Sequence, residues 1–144
     1  MIFYRHCEYM NDEDPIKKLM IIYMSDHGAW VMGHSTELFM DGTFDSRPSH
    51  FAQLYFIRAK MADKRSVPVA FALLPNKEAA TYRKMWEIIK SLVVFQPDCP
   101  MRVTSDFEKA AIICIKENFP QASFSGCFFH YKQALYRQCV MLKY

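Results

Sequence analysis

The sequence predicts an α/β domain built on a mixed β-sheet, and three observations carry that prediction. The chain has 144 residues, 51% hydrophobic and 15% aromatic, which is enough to bury one sizeable core. From residue 38 on, its apolar runs come first as three consecutive strand-like segments and only then alternate with helical periodicity, the pattern of a mixed sheet with helices packed on it. No internal repeat or low-complexity tract interrupts this order, and no apolar run approaches the roughly 20 residues of a membrane helix.

Residues 1–10 and 18–25 are aromatic or aliphatic runs separated by Asn11-Asp12-Glu13-Asp14-Pro15, a cluster of turn formers. They read as two strands joined by a solvated loop. With a short helix expected within residues 26–37, they make an N-terminal extension of residues 1–37 ahead of a core over 38–144. The core opens on Leu38-Phe39-Met40-Asp41-Gly42-Thr43-Phe44, an apolar run holding one carboxylate, and continues with strand-like runs Phe51–Lys60 and Val67–Leu74. Pro75-Asn76 ends the second of these and can start a helix. From Glu78 to Val94, Tyr82, Met85, Trp86, Ile89, Leu92 and Val93 recur at helical spacing, a stripe expected to serve packing. Pro97 and Pro100 break that helix, and Met101–Thr104 forms a short strand. Phe107, Ala110, Ala111, Cys114 and Asn118 then share one helical face, closed by Pro120. Ser123–Phe129 reads as a final strand. A last helix from about His130 places Tyr131, Ala134, Leu135 and Leu142 on one side.

A net charge of +3 is too mild to argue for nucleic acid. The basic surplus does gather late: no Asp or Glu follows Glu117, whereas Lys132, Arg137 and Lys143 do. The five cysteines (Cys7, Cys99, Cys114, Cys127, Cys139) are odd in number and widely spaced, and the residues before them are not expected to act as a secretory leader. Reduced thiols in a cytosolic or nuclear protein are the expectation.

Three places have the residue types for chemistry. Asp41 sits inside an apolar strand pattern, where an ionised carboxylate needs a cation or hydrogen bonds to offset its burial. Asp-Gly is also the strongest short hairpin signal, so a plain turn is the reading that local grounds slightly favour. Asp106 follows a strand and precedes a helix, close to the helix's positive pole and at the strand end where open α/β sheets collect ligands. Ser105 and Glu108 stand around it at capping-box spacing, which predicts that they cap that helix. Third, Cys127-Phe128-Phe129-His130 supplies two of the four ligands that a structural zinc site requires; nothing in the spacing ties His6 and Cys7 to it. A neutral His130 at a helix start can orient a phosphate or a water, or can be a satisfied core histidine.

Taken in order, these pieces resemble the Mutator-like (MULE) transposase domain. The stretches are Phe39–Phe44, then Pro68-Val69-Ala70-Phe71-Ala72-Leu73-Leu74-Pro75-Asn76-Lys77, then Ser105-Asp106-Phe107-Glu108-Lys109-Ala110-Ala111 and Phe119-Pro120. The last is Gly126-Cys127-Phe128-Phe129-His130-Tyr131-Lys132-Gln133, with Arg137 after it. The similarity runs over about residues 38–138. It implies a ribonuclease-H-like mixed sheet flanked by helices, with the first and fourth core strands adjacent and parallel. Asp41 and Asp106 would then meet as the first two acids of a DDE triad, the metal ligands for Mg²⁺ or Mn²⁺. Two such charges about 4 Å apart repel by roughly 4 kcal/mol at an effective dielectric of 20, and a divalent cation reverses the sign. The chemistry implied is two-metal cleavage and transfer of DNA strands at transposon ends, in the nucleus. Cys127 and His130 would lie near the active site, with His130 the better candidate for DNA contact. The family's third acid, normally a Glu on a later helix, has no counterpart here: Glu108 is assigned to the helix cap and Glu117 lies far along the helix. The expectation is therefore a C-terminally truncated, catalytically incomplete domain. The alternative is a domesticated module that binds DNA or protein without catalysis. An oligomer, or a partner chain supplying the missing segment, belongs to the same expectation, and no membrane does.

Overall fold

The computed structural model describes residues 3–9, 19–43 and 45–142. Strands β1 (Phe3–Tyr9) and β2 (Leu19–Ser25) pair antiparallel as the expected hairpin, while its Asn11–Pro15 loop lies outside the described residues. The ambiguous segment after them is helix α1 (Asp26–His34). The Ser25 hydroxyl caps it by accepting from the Gly28 N–H at 2.9 Å.

Strands β3 (Glu37–Thr43), β4 (Gln53–Lys60) and β5 (Ser66–Leu74) form an antiparallel meander. Helix α2 (Ala79–Leu92) follows, started by Asn76, whose side-chain oxygen accepts from the Glu78 N–H and the Thr81 hydroxyl. Strand β6 (Arg102–Ser105), helix α3 (Lys109–Asn118), strand β7 (Ser123–Gly126) and helix α4 (Phe128–Met141) complete the order. One seven-stranded sheet runs β1-β2-β5-β4-β3-β6-β7, with β3, β6 and β7 mutually parallel. The first and fourth core strands are thus adjacent and parallel, and the mixed sheet with its helices is compatible with a ribonuclease-H-like α/β fold. The N-terminal hairpin extends the same sheet through β2 against β5.

Period-two burial shows where the core sits. In β2, Met20, Ile22 and Met24 are buried while Leu19, Ile21 and Tyr23 are half-buried; in β4, Tyr55, Ile57 and Ala59 are buried while Leu54 and Phe56 are half-buried. The buried face packs against α1, α2 and α3, and Tyr82, Met85, Trp86 and Ile89 from α2 lie in the same cluster as Leu38, Met40 and Tyr55. The sequence-predicted stripe on α2 therefore does pack.

Three local expectations are corrected. Ser105 and Glu108 form no capping box: Ser105 is buried in β6, paired with Met40, and α3 begins only at Lys109 with no side-chain cap. Strand pairing outcompetes capping there, and it leaves Phe107 exposed ahead of the helix rather than on its packed face. Strand β7 ends at Gly126, with α4 starting at Phe128 rather than near His130. The expected apolar side of α4 is not a core face among the described residues, because none of its residues is buried.

Candidate active site at the β3–β6 seam

Asp41 is not a turn residue. It pairs with Phe56 and its neighbour Gly42 with Tyr55, so both continue β3 beside β4. On the other side of β3, the last paired rung with β6 is Met40 with Ser105, and the last rung of β6 with β7 is Ser105 with Gly126. Asp41, Asp106 and Cys127 are the next residues along three neighbouring parallel strands, which lie about 4.8 Å apart. A short strand register thus sets side by side three residues from distant parts of the sequence.

Electrostatics reflect the crowding. The Asp41 carboxyl is held above its ordinary value, first by partial burial; nearby Asp106 adds to the rise, and His130 and the Gly42 backbone N–H oppose it. His130 reaches back from the first turn of α4, with Nε2 3.5 Å from Asp41 Oδ1, while its Nδ1 is buried without a partner. Cys127 positions that turn: its backbone N–H donates to the Ser105 carbonyl at 2.7 Å, and it is the residue preceding α4. The Cys-x-x-His spacing therefore serves to return His130 to Asp41. Among the described residues no three His, Cys, Asp or Glu side chains form a group able to hold a metal ion; the side chains of His6 and Cys7 lie outside that description.

Two clefts of about 290 Å³ each flank the seam. One is mostly apolar, lined by Phe39, Phe56, Arg58 and Thr104 beside Asp41 and Cys127. The other gathers the polar and charged side chains of Lys77, Asp106, Glu108, His130, Gln133 and Arg137 beside Phe107 and Ala134. The two downstream acids have other engagements. Glu117 is clamped by Arg83 through two hydrogen bonds of 2.9 Å, and Glu108 Oε2 accepts from the Tyr82 hydroxyl at 2.8 Å.

Sequence reasoning missed Gln53 and Tyr82. Both are fully buried, and the Gln53 side-chain N–H donates to the Tyr82 hydroxyl. Gln53 did leave a signal, a polar residue at a core position of an alternating strand. Tyr82 left none, since its ring fits the packing stripe of α2.

A divalent cation fits this donor set in part. Mg²⁺ is usually held by one or two carboxylates, with waters and substrate phosphate completing the shell, and the Asp41 and Asp106 carboxylates, near enough to interact, are donors of that kind. No helix among the described residues is long and apolar enough to cross a membrane. No curated protein matches the chain. Residues 37–134, from the start of β3 into α4, match the MULE transposase domain, and the chain belongs to that family.

Proposed function

We propose that the β3–β6 seam is a divalent-cation site through which this domain engages DNA for strand cleavage and transfer, with Asp41 and Asp106 as its metal-binding acids. The observation that carries the proposal is the register: both carboxylates follow the last rung shared by two adjacent parallel strands. When bound, Mg²⁺ or Mn²⁺ supplies Lewis-acid polarisation of the phosphodiester and of the attacking hydroxyl. The chain's own groups hold and orient. Asp41 and Asp106 fix the cation, His130 steadies Asp41 and lines the second cleft, and Arg137 at the cleft wall offers a cation to a flanking phosphate. With Glu117 clamped by Arg83 and one oxygen of Glu108 held by the Tyr82 hydroxyl, the proposal covers cation and DNA binding. Turnover needs a further acid from outside the described residues.

Calorimetric titration with Mn²⁺ tests this reading. The natural chain should bind, and Asp41→Asn and Asp106→Asn should each abolish the heat while leaving the circular dichroism spectrum intact. No heat from a folded natural chain overturns the proposal. Salt-sensitive DNA binding that survives both substitutions would instead favour a module that binds DNA without a cation.

A further inference from the structure

A polar path, buried at Gln53 and Tyr82 and half-buried at Glu108 and Asp106, joins the surroundings of the two carboxylates, and neither packing nor helix capping accounts for it. Its first member is Gln53 of β4, whose Oε1 points at Gly42, the residue after Asp41; a Cβ on Gly42 would collide with that oxygen. The Gln53 side-chain N–H donates to the Tyr82 hydroxyl, and that hydroxyl donates at 2.8 Å to Glu108 Oε2. The Glu108 backbone N–H closes the path by donating to Asp106 Oδ1 at 3.3 Å. Gln53 and Tyr82 are both 0% exposed.

Stability alone does not call for such a path. Burying amide, phenol and carboxyl groups carries a desolvation penalty that their mutual hydrogen bonds only offset, and apolar side chains of the same shape would fill the space at least as well. The path's placement is what distinguishes it. One end rests under the residue next to Asp41. The other ties the short loop between β6 and α3, where Asp106 has no strand partner of its own.

We propose that Gln53, Tyr82 and Glu108 act as a positioning strut that sets the spacing of the Asp41 and Asp106 carboxylates and thereby the cation affinity of the pair. The inference rests on the proposed cation site. Gly42 belongs to the same device, because its lack of a side chain lets Gln53 approach β3 beneath Asp41. Outer-shell groups of this kind typically change metal affinity by 10–100-fold when removed.

The test uses the full chain with Tyr82→Phe, which deletes one hydroxyl, and Glu108→Gln, which keeps an oxygen to accept from Tyr82 but removes the charge. Hydrogen–deuterium exchange of the peptide spanning residues 105–109 reads the loop directly, and Mn²⁺ calorimetry reads the site. Tyr82→Phe should speed exchange in that peptide but not in β4 or α2, and should weaken Mn²⁺ binding by about 10-fold or more. Glu108→Gln should stay near the natural chain in both. Unchanged exchange in Tyr82→Phe overturns the strut. Loss of Mn²⁺ binding in Glu108→Gln with normal exchange also overturns it, since Glu108 would then act by its charge. Should Tyr82→Phe fail to fold, Gln53→Met breaks the same path from the other end. If the natural chain binds no Mn²⁺, the cation reading fails, and the exchange result still decides whether the strut orders the loop.

Discussion

Trp86 is the largest fully buried side chain among the described residues. It is 1% exposed, and its ring stands edge-on to Phe119 at a centroid distance of 5.1 Å, so it ties α2 to the residue that ends α3. Trp86→Ala should cost about 3–5 kcal/mol, read as a lower urea midpoint; a shift equivalent to under about 1 kcal/mol would contradict the packing described. Trp86 was legible in the sequence because helical spacing reports packing directly. Asp41 was only half legible. Asp-Gly is a local turn signal, and the pairing that overrides it comes from β4, beyond any short window. Ser105 and Glu108 misled for the same reason: a capping box is a local pattern, while the Met40–Ser105 rung and the Tyr82 hydroxyl are tertiary partners.

Between elements, α2 and α3 are held by their buried faces and by one exposed ion pair. Arg83 donates from Nε and one terminal nitrogen to both carboxyl oxygens of Glu117, and these hydrogen bonds hold the Glu117 carboxyl below its ordinary value. A carboxyl lowered on folding adds stability that is fully present above its unfolded pKa and is lost as pH falls through the folded one. Arg83→Gln should therefore lower the melting temperature slightly at pH 7, and the gap should close below the ordinary carboxylate range. High salt should narrow it as well, since an exposed pair is screened. A gap that widened in acid would contradict the assignment. Element order was readable from β3 onward, because period two and period 3.6 separate cleanly there, whereas the segment that forms α1 stayed ambiguous. Element ends were not readable: the starts of α3 and α4 and the end of β7 depend on rungs between β3, β6 and β7 that the local sequence does not encode.

At the level of the whole molecule, the sheet is covered unequally. Helices α1, α2 and α3 bury one face, while Phe39, Phe56 and Phe71 on the other remain only half-buried, Phe56 and Phe71 packing edge to face at 5.2 Å. Helix α4 also exposes Phe128, Phe129, Tyr136, Val140 and Met141. Exposed apolar area of this kind promotes association. Light scattering should show the chain associating with concentration, and a Leu135→Ser and Tyr136→Ser double variant should associate less. Its melting temperature should hardly move, since surface changes away from packed features stay within about 0.5 kcal/mol. A large loss of stability would mean that α4 is packed in solution. The mixed-sheet class was legible from the order of strands and helices. The parallel seam was not readable from periodicity, and its expectation came from resemblance alone.

That seam also fixes when the carboxylates meet as the chain folds. The β3–β5 meander closes through near-neighbour turns, but β6 reaches β3 only after α2 has folded back across the sheet. Contacts of long sequence separation form late, after the loop-closure entropy has been met. Early folding therefore proceeds free of the Asp41–Asp106 repulsion, which is confined to the step that docks β6, and it is at that step that a cation at the proposed site would act on the folding rate.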